Sequence, residues 1–160
     1  LTPIDFGKKS WFYRADLVMQ SIKNNAPGII GFQEATKWQY NYLTDCLEGY
    51  DSVITYRDDA FNSEGCPIFY NTELYSLVDK GSFWLSETPD VPSKSWGAQY
   101  NRVCSYVILT EKATDKDFVV FNGPDEQFVA GRAIGAEGGI GGTYGVMPEV
   151  YVKLDELIKN

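Results

Sequence analysis

The chain has 160 residues, 22 of them acidic and 14 basic, and a formal net charge of −8. Apolar residues make up 44% and aromatic residues 15%, a content that excludes a disordered tail and suffices for one domain with a core of its own. Excess negative charge repels phosphate backbones, which disfavours long nucleic acid, and the absence of histidine excludes Ser-His-Asp and Cys-His catalysis and any histidine-ligated metal.

Ser10 can cap a helix over about Trp11 to Asn25, in which Phe12, Ala15, Val18 and Ile22 form a stripe at helical spacing. Pro27-Gly28 stops it. Gly28 to Phe32 is a short apolar run that predicts a buried strand ending at Gln33-Glu34. A second helix is predicted over about Ala35 to Leu47, burying Trp38, Tyr42 and Cys46, with Gly49 placed for a C-terminal cap. Short strands follow over Ser52 to Tyr56, Pro67 to Tyr70 and Leu74 to Val78, then a loop over Ser86 to Gly97. Arg102 to Thr110 and Phe118 to Phe121 flank a turn at Thr114-Asp115-Lys116. Two helices with several antiparallel strands predict an α+β layer, a sheet covered on one face. After Asn122 the chain turns glycine-rich and alternates strand, helix, strand, helix, which suits a parallel unit.

No apolar run approaches the roughly 18 residues of a membrane helix, and Leu1 to Asp5 carries no signal-peptide pattern. The default compartment is the cytoplasm, with no membrane partner, and the absence of an initiator Met points to a segment upstream of Leu1. Cys46, Cys66 and Cys104 are odd in number and lack zinc-site spacing, so buried free thiols are expected. Gly138 to Gly142 matches neither G-x-G-x-x-G nor a P-loop.

Glu34 lies at the end of a predicted strand, where a carboxylate is costly unless paired or bound to a cation. Arg57 and Arg102 could each grip a phosphate in a fork or close a rim ion pair. Asp58, Asp59 and Glu64 lie on a loop, where solvated charge is the ordinary reading.

The order of segments is more specific. Trp11-x-x-Arg14 precedes Ile29 to Ala35 (I-I-G-F-Q-E-A), Tyr56 to Asp59 (Y-R-D-D) and Glu64-x-x-Pro67-Ile68-Phe69-Tyr70. Phe83 to Asp90 (F-W-L-S-E-T-P-D), Arg102 to Ser105 (R-V-C-S) and Phe118 to Asn122 (F-V-V-F-N) complete the series. Over about residues 7–122 this succession resembles the small bacterial branch of the endonuclease/exonuclease/phosphatase superfamily. The resemblance implies half of a four-layer α/β sandwich, a mostly antiparallel sheet covered by helices. It implies that Glu34 is a metal ligand, Arg102 a contact to the scissile phosphate, Glu64 the support of a catalytic histidine, and Arg57 a polar contact at the site's edge. The cofactor it implies is Mg2+ or Mn2+, and the reaction is metal-assisted attack of water on a phosphoester.

The departures from that pattern matter equally. The family's opening strand with its catalytic Asn is missing, T-H-x-D-H is replaced by Gly123-Pro124-Asp125-Glu126-Gln127, and the later G-D-F-N and S-D-H segments are absent. With them go most metal ligands, both histidines and the second sheet. The expected consequences are weak metal binding, weak or no turnover, and a sheet face left open to self-association.

Asn122 to Glu126 (N-G-P-D-E) and Gly138 to Gly145 (G-G-I-G-G-T-Y-G) are similar instead to the C-terminal part of N-acetylneuraminate lyase, a (β/α)8 barrel. That resemblance implies that Gly123, Asp125 and Glu126 contact a sugar-acid polyol and that Gly142 lies near the pyruvate end of the pocket. The Schiff-base lysine belongs to strands this sequence lacks. The expected organisation is a phosphoesterase-like half domain over 1–122 and a lyase-like βαβα segment over 123–160, joined as a chimera where the two patterns coincide. Three readings follow: a reduced phosphoester hydrolase acting on a small ester, a non-catalytic chimeric remnant, and a sugar-acid-binding fragment.

Overall fold

The structure is a computed structural model that describes residues 10–123 and 138–140, together with Glu149, Val152, Lys153 and Glu156. Helix α1 (Trp11–Asn25) begins after Ser10, whose backbone is extended but whose side chain makes no capping hydrogen bond. It ends where Ala26 turns left-handed (φ 41°) and donates its N–H to Ile22 O at 2.8 Å, with Pro27 barring another turn. The buried face is Ala15 and Met19, with Trp11 and Ile22 packed beside them. The expected stripe is therefore rotated: Phe12 is exposed and leans on Trp38, ring centroids 5.0 Å apart.

Strand β1 (Ile29–Gly31) is half-buried rather than buried, because it forms the edge of its sheet. Strand β2 (Ala35–Thr36) precedes α2 (Lys37–Cys46), so the second helix starts two residues later than its apolar pattern predicts. The cause is a reciprocal capping box: Gln39 N–H donates to Thr36 Oγ1 at 3.4 Å and Thr36 N–H donates to Gln39 Oε1 at 3.0 Å. With that start, Tyr40, Leu43 and Leu47 face inward and Trp38 lies exposed.

Strands β3 (Tyr50–Val53), β4 (Glu64–Gly65), β5 (Ile68–Asn71), β6 (Tyr75–Trp84), β7 (Val103–Glu111), β8 (Lys116–Asn122) and β9 (Gly138–Ile140) follow. They form not one sheet but two, in the orders β1-β5-β3 and β6-β7-β8-β9, plus a β2-β4 ribbon. All pairings are antiparallel except β8-β9, which is parallel. The mixed α/β character with antiparallel sheets agrees with the predicted α+β class, and the parallel β9 agrees with the change of pattern after Asn122. The predicted helix near residues 125–134 lies outside the described residues.

Strand β5 holds the layers together, since neighbouring side chains point to opposite faces. Ile68 and Tyr70 meet Val107, Leu109 and Val120 from the other sheet, while Phe69 meets Met19, Leu43 and Leu47 from the helices. Replacing Phe69 with Ala would cost about 3–5 kcal/mol. Among the described residues no helix is long and apolar enough to cross a membrane.

Candidate functional site

At the end of the β3 arm, Tyr56 bridges Gly65 and Arg57 N–H donates to Glu64 O at 3.0 Å. A Cβ at position 65 would lie 2.6 Å from the Thr55 carbonyl oxygen, so glycine is what permits this close approach. The Arg57 carbonyl accepts from Trp84 Nε1 at 2.9 Å and Asn101 Nδ2 at 3.1 Å. Three hydrogen bonds from three chain segments thus fix the backbone of Arg57. Its guanidinium NH1 lies 2.8 Å from Glu64 Oε2, Nε lies 3.7 Å from Asp58 Oδ2, and Cζ stands 5.3 Å from the Tyr100 ring centre.

Burial pushes the Glu64 carboxyl above the ordinary glutamate range; Arg57 opposes that shift and the negative charge of Glu34 adds to it. Asp58 moves the other way. The Ser63 hydroxyl does most to hold its carboxyl below the usual range; burial opposes it, and the Ala60 N–H and Arg57 add to the lowering.

Glu34 follows β1 with φ 53°, a left-handed conformation uncommon outside glycine. Its carboxylate is 67% exposed and stands 3.8 Å from Arg102 NH1, itself 39% exposed. Behind them, Asn122 at the end of β8 is fully buried and donates from Nδ2 to Phe32 O at 2.9 Å and Pro67 O at 2.8 Å. Gln33 Nε2 donates to Asn122 Oδ1 at 2.6 Å. This latch ties the exit of β1 to the start of β5 and to β8, which fixes where Glu34 leaves the sheet. The Cys66 thiol, pushed up by burial, donates to Gln33 Oε1 at 3.7 Å. Cys66 and Cys104 are buried free thiols, as expected, while Cys46 is only half-buried.

Glu34, Glu64, Arg57 and Arg102, singled out from the sequence, therefore fall into one electrostatically connected patch. Asp58 joins it through Arg57, and Asp59 is exposed beside it. Gly123 is buried directly after Asn122; Asp125, Glu126 and Gly142 lie outside the described residues. Among the described residues no three His, Cys, Asp or Glu side chains gather as a metal cage. The sequence pattern does not single out Gln33, Asn122, Asn101 or Tyr100 as site residues. The signal available for Asn122 was a polar residue closing an otherwise apolar strand, which must find partners when buried.

Comparisons with known proteins point to two families whose matches overlap in the chain. A dihydrodipicolinate synthetase family model matches residues 100–160. N-acetylneuraminate lyase of Mediterraneibacter gnavus is 65% identical over 50 residues, which are 31% of this chain and 16% of that protein. Among solved structures, an endonuclease/exonuclease/phosphatase from Bacteroides vulgatus superposes with a TM-score of 0.72 at 32% identity, covering 83% of this chain and 53% of its own. A mannosyl-6-phosphatase from Bacteroides thetaiotaomicron superposes with a TM-score of 0.67 at 33% identity, covering 92% of this chain and 52% of its own. The chain thus spans about half the length of these two structures and a small part of the lyase. The chain is therefore similar in sequence and in part of its fold to the endonuclease/exonuclease/phosphatase superfamily, and over residues 100–160 it is similar to the dihydrodipicolinate synthetase family, to which the match with N-acetylneuraminate lyase also points.

Proposed function

We propose that the Glu34–Arg102 face binds the phosphate of a small phosphoester together with a divalent cation, and that these residues alone turn it over weakly. One observation carries this reading. At the exit of β1, an exposed carboxylate and an exposed guanidinium stand 3.8 Å apart, loose enough for each to take a ligand of opposite charge. Arg57 is unsuited to the same task because its guanidinium is committed to Glu64, so Arg102 is the phosphate contact. A net charge of −8 favours one small ester over a polyanion. The mannosyl-6-phosphatase among the structural neighbours supports a sugar phosphate.

The donor set fits Mg2+ or Mn2+ only in a loose mode. Magnesium keeps several waters and takes one or two carboxylates, so Glu34 would hold it with substrate oxygens completing the shell. Such an ion would neutralise charge developing on the phosphoryl oxygens. Arg102 would orient the ester, and Arg57 with Glu64 would keep the edge of the site in shape. The chain has no imidazole to take a proton from water, and Glu64 is held by Arg57, which favours binding without efficient turnover as the second reading.

Thermal melts with and without millimolar Mg2+ and a sugar phosphate test this. A ligand that binds the native state raises its melting temperature. The rise is expected for the unsubstituted chain and expected to vanish in Glu34→Ala and Arg102→Ala. An unchanged melt in all three would sink the reading, and a rise without measurable phosphate release would select the second one.

A further inference from the structure

The loop between β6 and β7 presents an aromatic side chain in a conformation that neither burial nor backbone ease explains. Ala98 N–H donates to Ser95 O at 3.1 Å, closing a turn whose two central residues both take positive φ: Trp96 at 54° and Gly97 at 78°. Glycine accepts such angles freely, but a bulky residue there is an outlier. Trp96 is nonetheless 73% exposed, so packing does not repay the strain.

The loop around it is firmly built. Ser93 Oγ lies 2.5 Å from Ser86 Oγ and within 3 Å of Thr88 O and Val91 O, at 2.9 and 2.8 Å. Ser95 Oγ accepts the Glu87 N–H at 3.0 Å. On its far side the loop runs straight into the candidate site. Tyr100 lies against the Arg57 guanidinium, Asn101 is bonded to the Arg57 carbonyl, and Arg102 follows. Strained, exposed residues on a rigid support cluster where a ligand is clamped.

We infer that Trp96 and Tyr100 form a stacking platform for the ring-bearing part of the phosphoester whose phosphate sits at Arg102. The inference rests on the reading above and adds the shape of the leaving group. An indole and a phenol ring offer flat π-faces and few hydrogen bonds, which suits the face of a sugar or a base and gives little to an open-chain alcohol. Tyr100 stands against the Arg57 guanidinium two residues before Arg102, which argues for the ester's own ring as occupant rather than a protein partner.

The test is a set of binding titrations at fixed Mg2+, read by tryptophan fluorescence and by the indole N–H signals in NMR. The ligands are inorganic phosphate, glycerol 3-phosphate, glucose 6-phosphate and 5′-AMP. At least one ring-bearing ester should bind about tenfold more tightly than glycerol 3-phosphate, and which one does so decides between sugar and base. Trp96→Ala should bring its affinity down to that of glycerol 3-phosphate and leave the latter unchanged, while Trp96→Phe keeps part of the advantage. Equal affinities for ring and open-chain esters would overturn the platform. So would an equal loss for all ligands in Trp96→Ala, or a concentration-dependent mass that this substitution abolishes, which would make the loop an interface between copies. If no phosphate compound binds even the unsubstituted chain, the phosphate site itself fails and the platform with it.

Discussion

The site contains two arginine–glutamate pairs that look alike in the sequence and differ in every physical respect. Arg57 and Glu64 meet at 2.8 Å with side chains 22% and 30% exposed, while Arg102 and Glu34 stand 3.8 Å apart in solvent. The first pair is tied into the backbone: β4 carries Glu64, and Trp84 and Asn101 pin the Arg57 carbonyl. In the second, Glu34 follows the latch of Gln33 and Asn122, the Arg102 carbonyl accepts from Leu85 N–H, and both charged ends stay open. A half-buried pair is architecture, because removing one member strands the other's charge. An exposed pair contributes little to stability, and its members remain available to ligands.

Breaking the first pair should therefore give the largest effect. Glu64→Ala leaves the Arg57 guanidinium without its closest acceptor and should cost about 2–3 kcal/mol in chemical denaturation. A cost below about 0.5 kcal/mol would put this pair in the same class as the exposed one. The second pair should respond in binding instead. Glu34→Ala should change stability without ligand by less than about 0.5 kcal/mol. It should also remove the Mg2+-dependent stabilisation, which amounts to about 1.4 kcal/mol at ten times the dissociation constant. A large loss of stability in the ligand-free Glu34→Ala protein would show that the left-handed turn at Glu34, not its charge, matters most.

What the sequence disclosed follows the range of the interactions involved. Helix α1 keeps its predicted span, Trp11 to Asn25, because its stop, Pro27-Gly28, is local. The start of α2 is not legible in the apolar pattern, which reaches back to Ala35, because the capping box at Thr36 and Gln39 outweighs it. Alternation along β7 reveals two faces on that strand but not that the strands divide between two sheets. That depends on pairings such as Ile30 with Phe69 and Val107 with Val120, which leave no mark on neighbouring residues. Local chemistry and motif order single out the four charged residues of the site, yet nothing in either says which arginine takes which glutamate. The Gln33–Asn122 bond joins residues 89 positions apart, and Trp96 reads as an ordinary loop residue until its φ is known.

The smallest expected effect is a pH dependence that separates the pairs again. Glu64 has its folded pKa raised, chiefly by burial, despite Arg57 beside it. A folded group with a raised pKa holds its proton more tightly than the unfolded chain does. Its contribution to stability is then fully present below the ordinary glutamate value of 4.5 and is lost as pH rises through the raised folded value. Asp58 runs oppositely: its lowered folded pKa gives stability present above the ordinary aspartate value of 3.8 and lost as pH falls through the folded one. Glu64→Gln keeps an acceptor for Arg57 but removes the titration. It should therefore cost less than Glu64→Ala at neutral pH and flatten the decline in stability just above pH 4.5. Asp58→Asn should spare that decline and instead flatten the loss below pH 3.8. Denaturation midpoints measured between about pH 3 and 7 on the three proteins would check both signs. If Glu64→Gln leaves the profile above pH 4.5 unchanged, burial at Glu64 is offset by its arginine, and the pair is closer in character to the exposed one than its 2.8 Å contact implies.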